Sequence, residues 1–165
     1  MVHVLERSQV VPRPRSEVFA FFSEARNLEA ITPDFLHFEI LPPVPRPLRP
    51  GSLIDYRLGL FGLRFRWRTR IEVFDPERRF VDVQLRGPYK LWRHTHAFED
   101  VPGGTRVGDR VEYELPLGPL GEIAHLLLVE RTLDRIFDHR RERVAALVGS
   151  EPPGVPGRPA TASGV

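Results

Sequence analysis

The sequence predicts an α+β domain in which a curved antiparallel β-sheet wraps around one long C-terminal helix, with two short helices after the first strand. Three observations point there. Five strand-like runs follow one another between residues 52 and 114, separated by turn-forming residues and not by helical patterns. A single apolar stripe with helical spacing then extends from about Glu122 to Leu147. Ahead of both lie one alternating segment and two short amphipathic ones. A sheet with one apolar face and a helix with one apolar stripe bury both when the sheet folds about the helix.

The first strand runs from His3 to Val11 and places Val4, Glu6, Ser8 and Val10 on one side. In "PRPRSEVFAFF" Ser16 is the expected N-cap of a short helix whose stripe is Val18, Phe19 and Phe22. A second short helix, about Glu24 to Ile31, stops at Pro33, and Phe35 to Leu41 reads as a strand. "PPVPRPLRPG", residues 42–51, is a stiff, extended loop. The five strands follow at about 52–60, 62–74, 79–86, 91–100 and 105–114, with turns at "FG", "DPER", "RGPY" and "VPGG". In the long helix the apolar positions are Leu126, Val129, Leu133, Ile136, Phe137, Val144 and Leu147.

With 165 residues and 41% hydrophobic content the chain can build one domain with a real core. That domain is expected over residues 1–148. Residues 149–165, rich in proline, glycine and small residues, are expected to be a disordered tail. The formal charge is only +2, with 24 basic residues against 22 acidic ones, so no strong field for a polyanion arises. The absence of cysteine excludes disulfides and thiolate chemistry and fits a reducing, cytoplasmic location. The N-terminus carries charges and prolines where a signal peptide has its apolar run, and no stretch approaches the roughly 18 apolar residues of a membrane span. The protein is not expected to be integral to a membrane. No residue pattern specifies an oligomeric state.

"RFRWRTR", residues 64–70, places arginines 64, 66, 68 and 70 on one strand face, with Leu63, Phe65, Trp67, Thr69, Ile71 and Val73 on the other. The apolar face has a core to enter, so the arginines face solvent. Asp55 and Asp82 are expected on the same outer face as cross-strand partners. Nucleic-acid binding is not expected, because a single lysine, Lys90, and no nucleic-acid-binding module accompany the row.

"LWRHTHAFE", residues 91–99, is the informative strand. With Arg93, Thr95, Ala97 and Glu99 outside, Trp92, His94, His96 and Phe98 point inward. On the next strand Val107, Asp109, Val111 and Tyr113 point inward, and an inward carboxylate needs a partner. If Pro102-Gly103 forms the centre of the turn, His96 lies opposite Asp109 and Trp92 opposite Tyr113. If Gly103-Gly104 does, Asp109 faces Phe98 and His96 becomes its diagonal neighbour. Either register brings histidine and aspartate together inside the sheet, raising the histidine pKa and lowering that of the aspartate, with desolvation opposing both. Three readings fit the cluster: a satisfied polar pair within the core, a polar anchor at the wall of a ligand pocket, or a general-base dyad or metal site. In the metal version His94 and His96 chelate with Asp109 as third ligand and His125 as a conceivable fourth, but no other inward ligand is securely placed, so no metal and no cofactor is assigned. Tyr56, Leu58, Phe65, Trp67, Val83 and Leu85 are further interior candidates, and two tryptophans on a concave sheet suit a flat or lipid-like ligand.

The order of elements resembles the helix-grip fold of the START-like, or SRPBCC, superfamily. "GPYKLWRHTHAFEDVPGGTRVGDRVEYELPLGPLG", preceded by "TPDFLHFEIL" and followed by "RIFDHRRERV", is similar to a bacterial polyketide cyclase/dehydrase-like branch of it, over about residues 3–148. The W-x-H-x-H-x-F and GGT-x4-D-x-V-x-Y runs carry that similarity. The resemblance implies a deep hydrophobic cavity between sheet and C-terminal helix, suited to lipids, quinones or polyketide-like molecules. It does not by itself choose between carrier, regulator and cyclase or dehydratase.

The function expected is binding or transport of a small hydrophobic molecule. Its apolar wall would be Tyr56, Phe65, Trp67, Trp92, Phe98, Leu133 and Phe137, and its polar cluster His94, His96, Asp109 and Tyr113. Two alternatives stand beside it. One is a cyclase- or dehydratase-type enzyme in which His96, made basic by Asp109, removes a proton next to a carbonyl while Tyr113 steadies the oxyanion. The other is a protein-interaction module using the arginine face. The loops 42–51 and 115–121 are placed to gate a pocket mouth.

Overall fold

Seven strands form one antiparallel sheet in the computed structural model, which describes residues 1–60 and 62–149 and the side chains of these except at 122, 124, 125 and 126. Phe61 of the "FG" turn, the side chains of His125 and Leu126, and residues 150–165 of the expected tail lie outside the described residues. The strands are β1 (His3–Val11), β2 (Glu39–Leu41), β3 (Leu53–Leu60), β4 (Leu63–Asp75), β5 (Arg79–Arg86), β6 (Leu91–Val101) and β7 (Gly104–Glu114). Their order across the sheet is β1-β7-β6-β5-β4-β3-β2. The first strand therefore closes against the last, and everything between is hairpin-connected. Helices α1 (Arg15–Ser23) and α2 (Asn27–Ala30) follow β1, and α3 (Pro119–Ala124) and α4 (Glu130–Val148) follow β7.

The alternation that predicts the strands is realised in most of them. On β1 Leu5 and Val11 are buried while Val4, Glu6, Ser8 and Val10 are exposed. On β4 Arg64, Arg66, Arg68 and Arg70 are all exposed, and Arg68 makes a two-pronged contact with Asp55, Nε to Oδ1 at 2.7 Å and Nη2 to Oδ2 at 2.8 Å. The arginine row is the wet side of a strand.

Asp82 departs from this pattern: it faces inward. Between β4 and β5 the register runs Ile71↔Asp82 and then Val73↔Val81, so β4 carries one extra residue at a β-bulge. Beyond the bulge Phe74, not Val73, packs into the core. On β6 the partner of Asp82 is the inward His94, which fixes the same face for both. Val83 and Leu85, expected inside, accordingly point outward, and Leu85 is exposed.

The N-terminal connections also differ from expectation. Helix α1 starts at Arg15 with Pro14 at the N-cap, whose carbonyl accepts from the amides of Glu17 and Val18 at 3.0 and 3.1 Å. Ser16 is therefore inside the first turn. Helix α2 is shorter than Glu24–Ile31. Asp34–Leu36 forms a 3-10 turn that ends on His37 at a φ of 45°, so only Glu39–Leu41 of the segment 35–41 is strand.

The C-terminal helical segment is continuous in sequence but not in phase. Between α3 and α4 a π-helical turn spans His125–Val129. Four consecutive apolar residues, Leu126 to Val129, cannot all lie on one 3.6-residue stripe. The wider turn leaves Leu127 and Leu128 exposed and buries Val129 in line with Leu133, Phe137 and Val144.

Two apolar clusters fill the interior. One, around Val18, Phe19, Phe80, Phe98, Val107 and Val144, seals the end of the sheet beneath α1. Each such fully buried side chain contributes about 2 kcal/mol of transfer free energy. The other, around Tyr56, Trp67, Ile71, Tyr89, Leu133 and Phe137, surrounds a cavity.

Candidate functional site

The β6–β7 hairpin places the polar residues. Val101 pairs with Gly104, so Pro102-Gly103 is the centre of the turn, and Gly103 takes a φ of 89°. Gly104 is needed for another reason: a Cβ there would lie 2.1 Å from the carbonyl oxygen of Val11 on the neighbouring β1. From this turn the register puts His96 opposite Asp109 and Trp92 opposite Tyr113.

Five side chains from four elements then converge. Asp109 Oδ1 lies 2.8 Å from His94 Nε2 and 3.2 Å from His96 Nδ1. Asp82 Oδ2 lies 3.0 Å from His96 Nε2 and 3.8 Å from His94 Nδ1. Arg140, from α4, brings Nη2 to 3.2 Å from His96 Nδ1 and 3.5 Å from Asp109 Oδ1. Both histidines are buried. The His94 and His96 rings lie 3.8 Å apart, His96 stacks on Phe80 at 4.2 Å, and the Arg140 guanidinium lies over the rings of Phe22 and Phe137.

Burial and charge decide the protonation states. Burial pushes the Asp109 carboxyl upward, but the Arg140 charge and the hydrogen bond from His94 outweigh it and hold the carboxyl well below the usual range. Asp82 is likewise lowered, against burial, by the hydrogen bond from His96 and the positive charge of Arg140. His94 goes the opposite way from the sequence expectation. Burial first, and then the neighbouring His96, lower it to about 4, more than Asp109 and Asp82 raise it. A neutral His94 thus donates from Nε2 to ionised Asp109, leaving its Nδ1 unprotonated. Arginine has no acceptor, so Arg140 donates to His96 Nδ1, and His96 Nε2–H donates to Asp82.

Beside this cluster lies a cavity of about 180 Å³ between the sheet and α4. A larger hollow of about 610 Å³ lies along exposed residues such as His37, Arg57 and Arg64, and is a surface feature. Of the residues singled out in the sequence, Tyr56, Trp67, Trp92, His94, His96, Leu133 and Phe137 line the cavity between sheet and α4. Phe65, Phe98, Asp109 and Tyr113 do not: Phe65 is partly buried against the core, Phe98 belongs to the cluster beneath α1, Asp109 stands behind the histidines, and Tyr113 packs beside Tyr89 and Trp92.

Sequence reasoning missed Asp82, Arg140 and Thr69, all of which line the cavity. Thr69 Oγ1 accepts from Trp67 Nε1 at 3.0 Å and is 3.1 Å from the Tyr56 hydroxyl, so it fixes two aromatic walls at once. Tyr56 and Trp67 are stacked at an interplanar angle of 18°, and Trp92 meets Trp67 edge-on at 90°. The spacing 133, 137, 140, 144 put Arg140 on the buried stripe of α4, which was the available signal.

No helix among the described residues is long and apolar enough to cross a membrane. A family model for polyketide cyclase / dehydrase and lipid transport matches residues 11–138. Among solved structures the chain is similar to protein CV1439 from Chromobacterium violaceum, with 14% identity and a TM-score of 0.68 over 90% of this chain and 99% of that one. It is similar to TTHA0849 from Thermus thermophilus, with 22% identity and a TM-score of 0.60 over 87% and 98% of the two chains. It also matches the di-domain ARO/CYC StfQ from the steffimycin biosynthetic pathway, with 16% identity and a TM-score of 0.68 over 90% of this chain and 51% of that one. At such identities the likeness is one of fold, the helix-grip arrangement of a sheet around a terminal helix. No curated protein matches the chain in sequence. With that fold and a family match over most of its length, the chain belongs to the polyketide cyclase / dehydrase and lipid transport family.

Proposed function

We propose that this protein binds a compact, mostly apolar molecule of one or two rings in the cavity between the sheet and α4. The observation that carries the reading is the lining. Aromatic and aliphatic side chains form most of it, and the aspartate, histidine and arginine side chains, Asp82, His94, His96 and Arg140, are gathered on one wall. Apolar burial would supply most of the affinity, and the polar wall would orient one oxygen-bearing end of the ligand.

Size narrows the class. A cavity of about 150 Å³ lined by apolar side chains accommodates benzene. A cavity of about 180 Å³ is therefore matched to a ring system and is short for a long acyl or isoprenoid chain. Leu48, from the proline-rich loop, is part of the lining, so movement of that loop would be the route of entry.

The cyclase or dehydratase reading has a specific observation for it, the contact of His96 with Asp82 inside the cavity. A general base needs a free ring nitrogen, however. Here His96 Nε2 donates to Asp82 and Nδ1 accepts from Arg140. His94 keeps a free Nδ1, but burial has lowered its basicity. This favours binding over proton abstraction.

The test is native mass spectrometry of the purified protein, repeated on the same sample after denaturation. A mass excess of one- or two-ring size that vanishes on denaturation is expected. An excess matching a long-chain lipid would overturn the compact-ligand reading.

A further inference from the structure

We propose that Asp82 Oδ2, His94 Nδ1 and His96 Nε2 form a site for a divalent first-row transition-metal ion at the polar wall of the cavity, with Asp109 holding both imidazoles from behind. The three donor atoms lie within 4.8 Å of one another, with Asp82 Oδ2 at 3.0 Å from His96 Nε2 and 3.8 Å from His94 Nδ1. Donors around an ion with bonds of about 2.0–2.2 Å are separated by about the same distances.

The backing is as specific as the donors. Ligating histidines donate their other ring N–H to a carboxylate or carbonyl, which fixes the tautomer and directs the free nitrogen at the metal. Asp109 Oδ1 is placed to accept from both rings, 2.8 Å from His94 Nε2 and 3.2 Å from His96 Nδ1. His94 already has this tautomer, so its Nδ1 lone pair stands 3.8 Å from a carboxylate oxygen with no hydrogen to share. His96 reaches it by moving one proton from Nε2 to Nδ1, without turning the ring. Arg140 would then exchange His96 Nδ1 for Asp109 Oδ1, which is already 3.5 Å away.

Charge points the same way. Two buried carboxylates, Asp82 and Asp109, face one guanidinium, Arg140, and a buried carboxylate charge without a cation is costly. Two imidazoles and one carboxylate suit zinc, cobalt or ferrous iron, and three protein ligands leave open positions. Asp82, His94 and His96 all line the cavity, so those positions face it. A ligand oxygen, from a carboxylate, enolate or catechol-type hydroxyl, would complete the coordination. The site does not depend on any organic molecule occupying the cavity.

The test uses the full chain stripped with a chelator and titrated with Co²⁺, followed by its visible d–d absorption, with bound metal counted after gel filtration. One equivalent is expected, displaced by Zn²⁺. Asp82→Asn should weaken binding at least tenfold and Asp109→Asn by about 10- to 100-fold. His37→Gln, at an exposed position, should leave it unchanged. Substoichiometric uptake by the wild type, or equal affinity in a folded Asp82→Asn variant, would overturn the proposal. Should the variants not fold, X-ray absorption of the wild-type Zn²⁺ complex decides. Two imidazoles and one carboxylate in the inner shell support the site, and a shell without imidazole contradicts it.

Discussion

Asp82 Oδ2 meets His96 Nε2 at 3.0 Å inside the sheet, from a strand whose apolar alternation assigns the aspartate to solvent. The contact follows from the bulge in β4 and from the pairing of Asp82 with His94. It converts an isolated His–Asp pair into a network in which each imidazole touches both carboxylates. Burial makes that network strong when complete and costly when one member is removed.

Removal of the rear carboxylate should therefore be severe. Asp109→Ala leaves Arg140 and the His94 Nε2–H without their shared acceptor, and a loss of about 3–5 kcal/mol is expected in urea unfolding. Asp55→Ala, which breaks the two-pronged pair with exposed Arg68, should change stability too little to separate from experimental scatter.

Thr69 holds the aromatic wall. Thr69→Val keeps the shape but removes the acceptor of Trp67 Nε1 and the partner of the Tyr56 hydroxyl, both buried. A loss of about 2 kcal/mol is expected. The tryptophan emission should shift as Trp67 loses its hydrogen bond, and an unchanged spectrum would contradict the assignment.

Leu133, on the buried face of α4, lines the cavity and is 3% exposed. Leu133→Ala should cost about 3 kcal/mol and leave a larger cavity. Calorimetry with phenol and 1-naphthol on both proteins checks the consequence: the variant should shift its preference toward the larger ring system.

Stability should depend on pH through His94, which is faced by Asp82 of β5, His96 of its own strand, Asp109 of β7 and Arg140 of α4. Its folded pKa is lowered from 6.5 to about 4. Between these values the unfolded chain binds a proton that the folded chain does not. The contribution is therefore complete above pH 6.5 and is lost as the pH falls toward 4, by about 3 kcal/mol. The lowered carboxyls of Asp82 and Asp109 extend the loss to still lower pH. Urea midpoints between pH 7 and pH 4.5, in chelator-treated protein, should fall for the wild type and be nearly flat for His94→Gln.

Where a strand alternates strictly, the sequence is enough to place its side chains. The arginine row of β4 and the inward pair His94 and His96 were legible from period-two alternation, whereas the turn left two registers open and the structure selects the one that opposes His96 to Asp109. The rest depends on tertiary context. A bulge is invisible in a sequence whose partner strand is itself ambiguous, so "RFVDVQLR" reads with Val83 and Leu85 inside when Phe80 and Asp82 are. Arg140 interrupts an apolar stripe and looks like its edge, although it lies on the buried side because Asp109 neutralises it there. The π-helical turn likewise follows from packing of Val129 against the sheet, which local spacing does not encode.

The central claim is that the cavity between sheet and α4 takes a compact ring system. Trp67 and Trp92, the two tryptophans of the chain, both line it, so their fluorescence reports directly on occupancy. The decisive measurement is a titration with 1-naphthol and, separately, palmitate, excited at the red edge of tryptophan absorption. A saturable change with 1-naphthol and little with palmitate is the predicted result. A linear, non-saturating response to 1-naphthol equal to that of free N-acetyltryptophanamide, or tight saturable binding of palmitate alone, would contradict it.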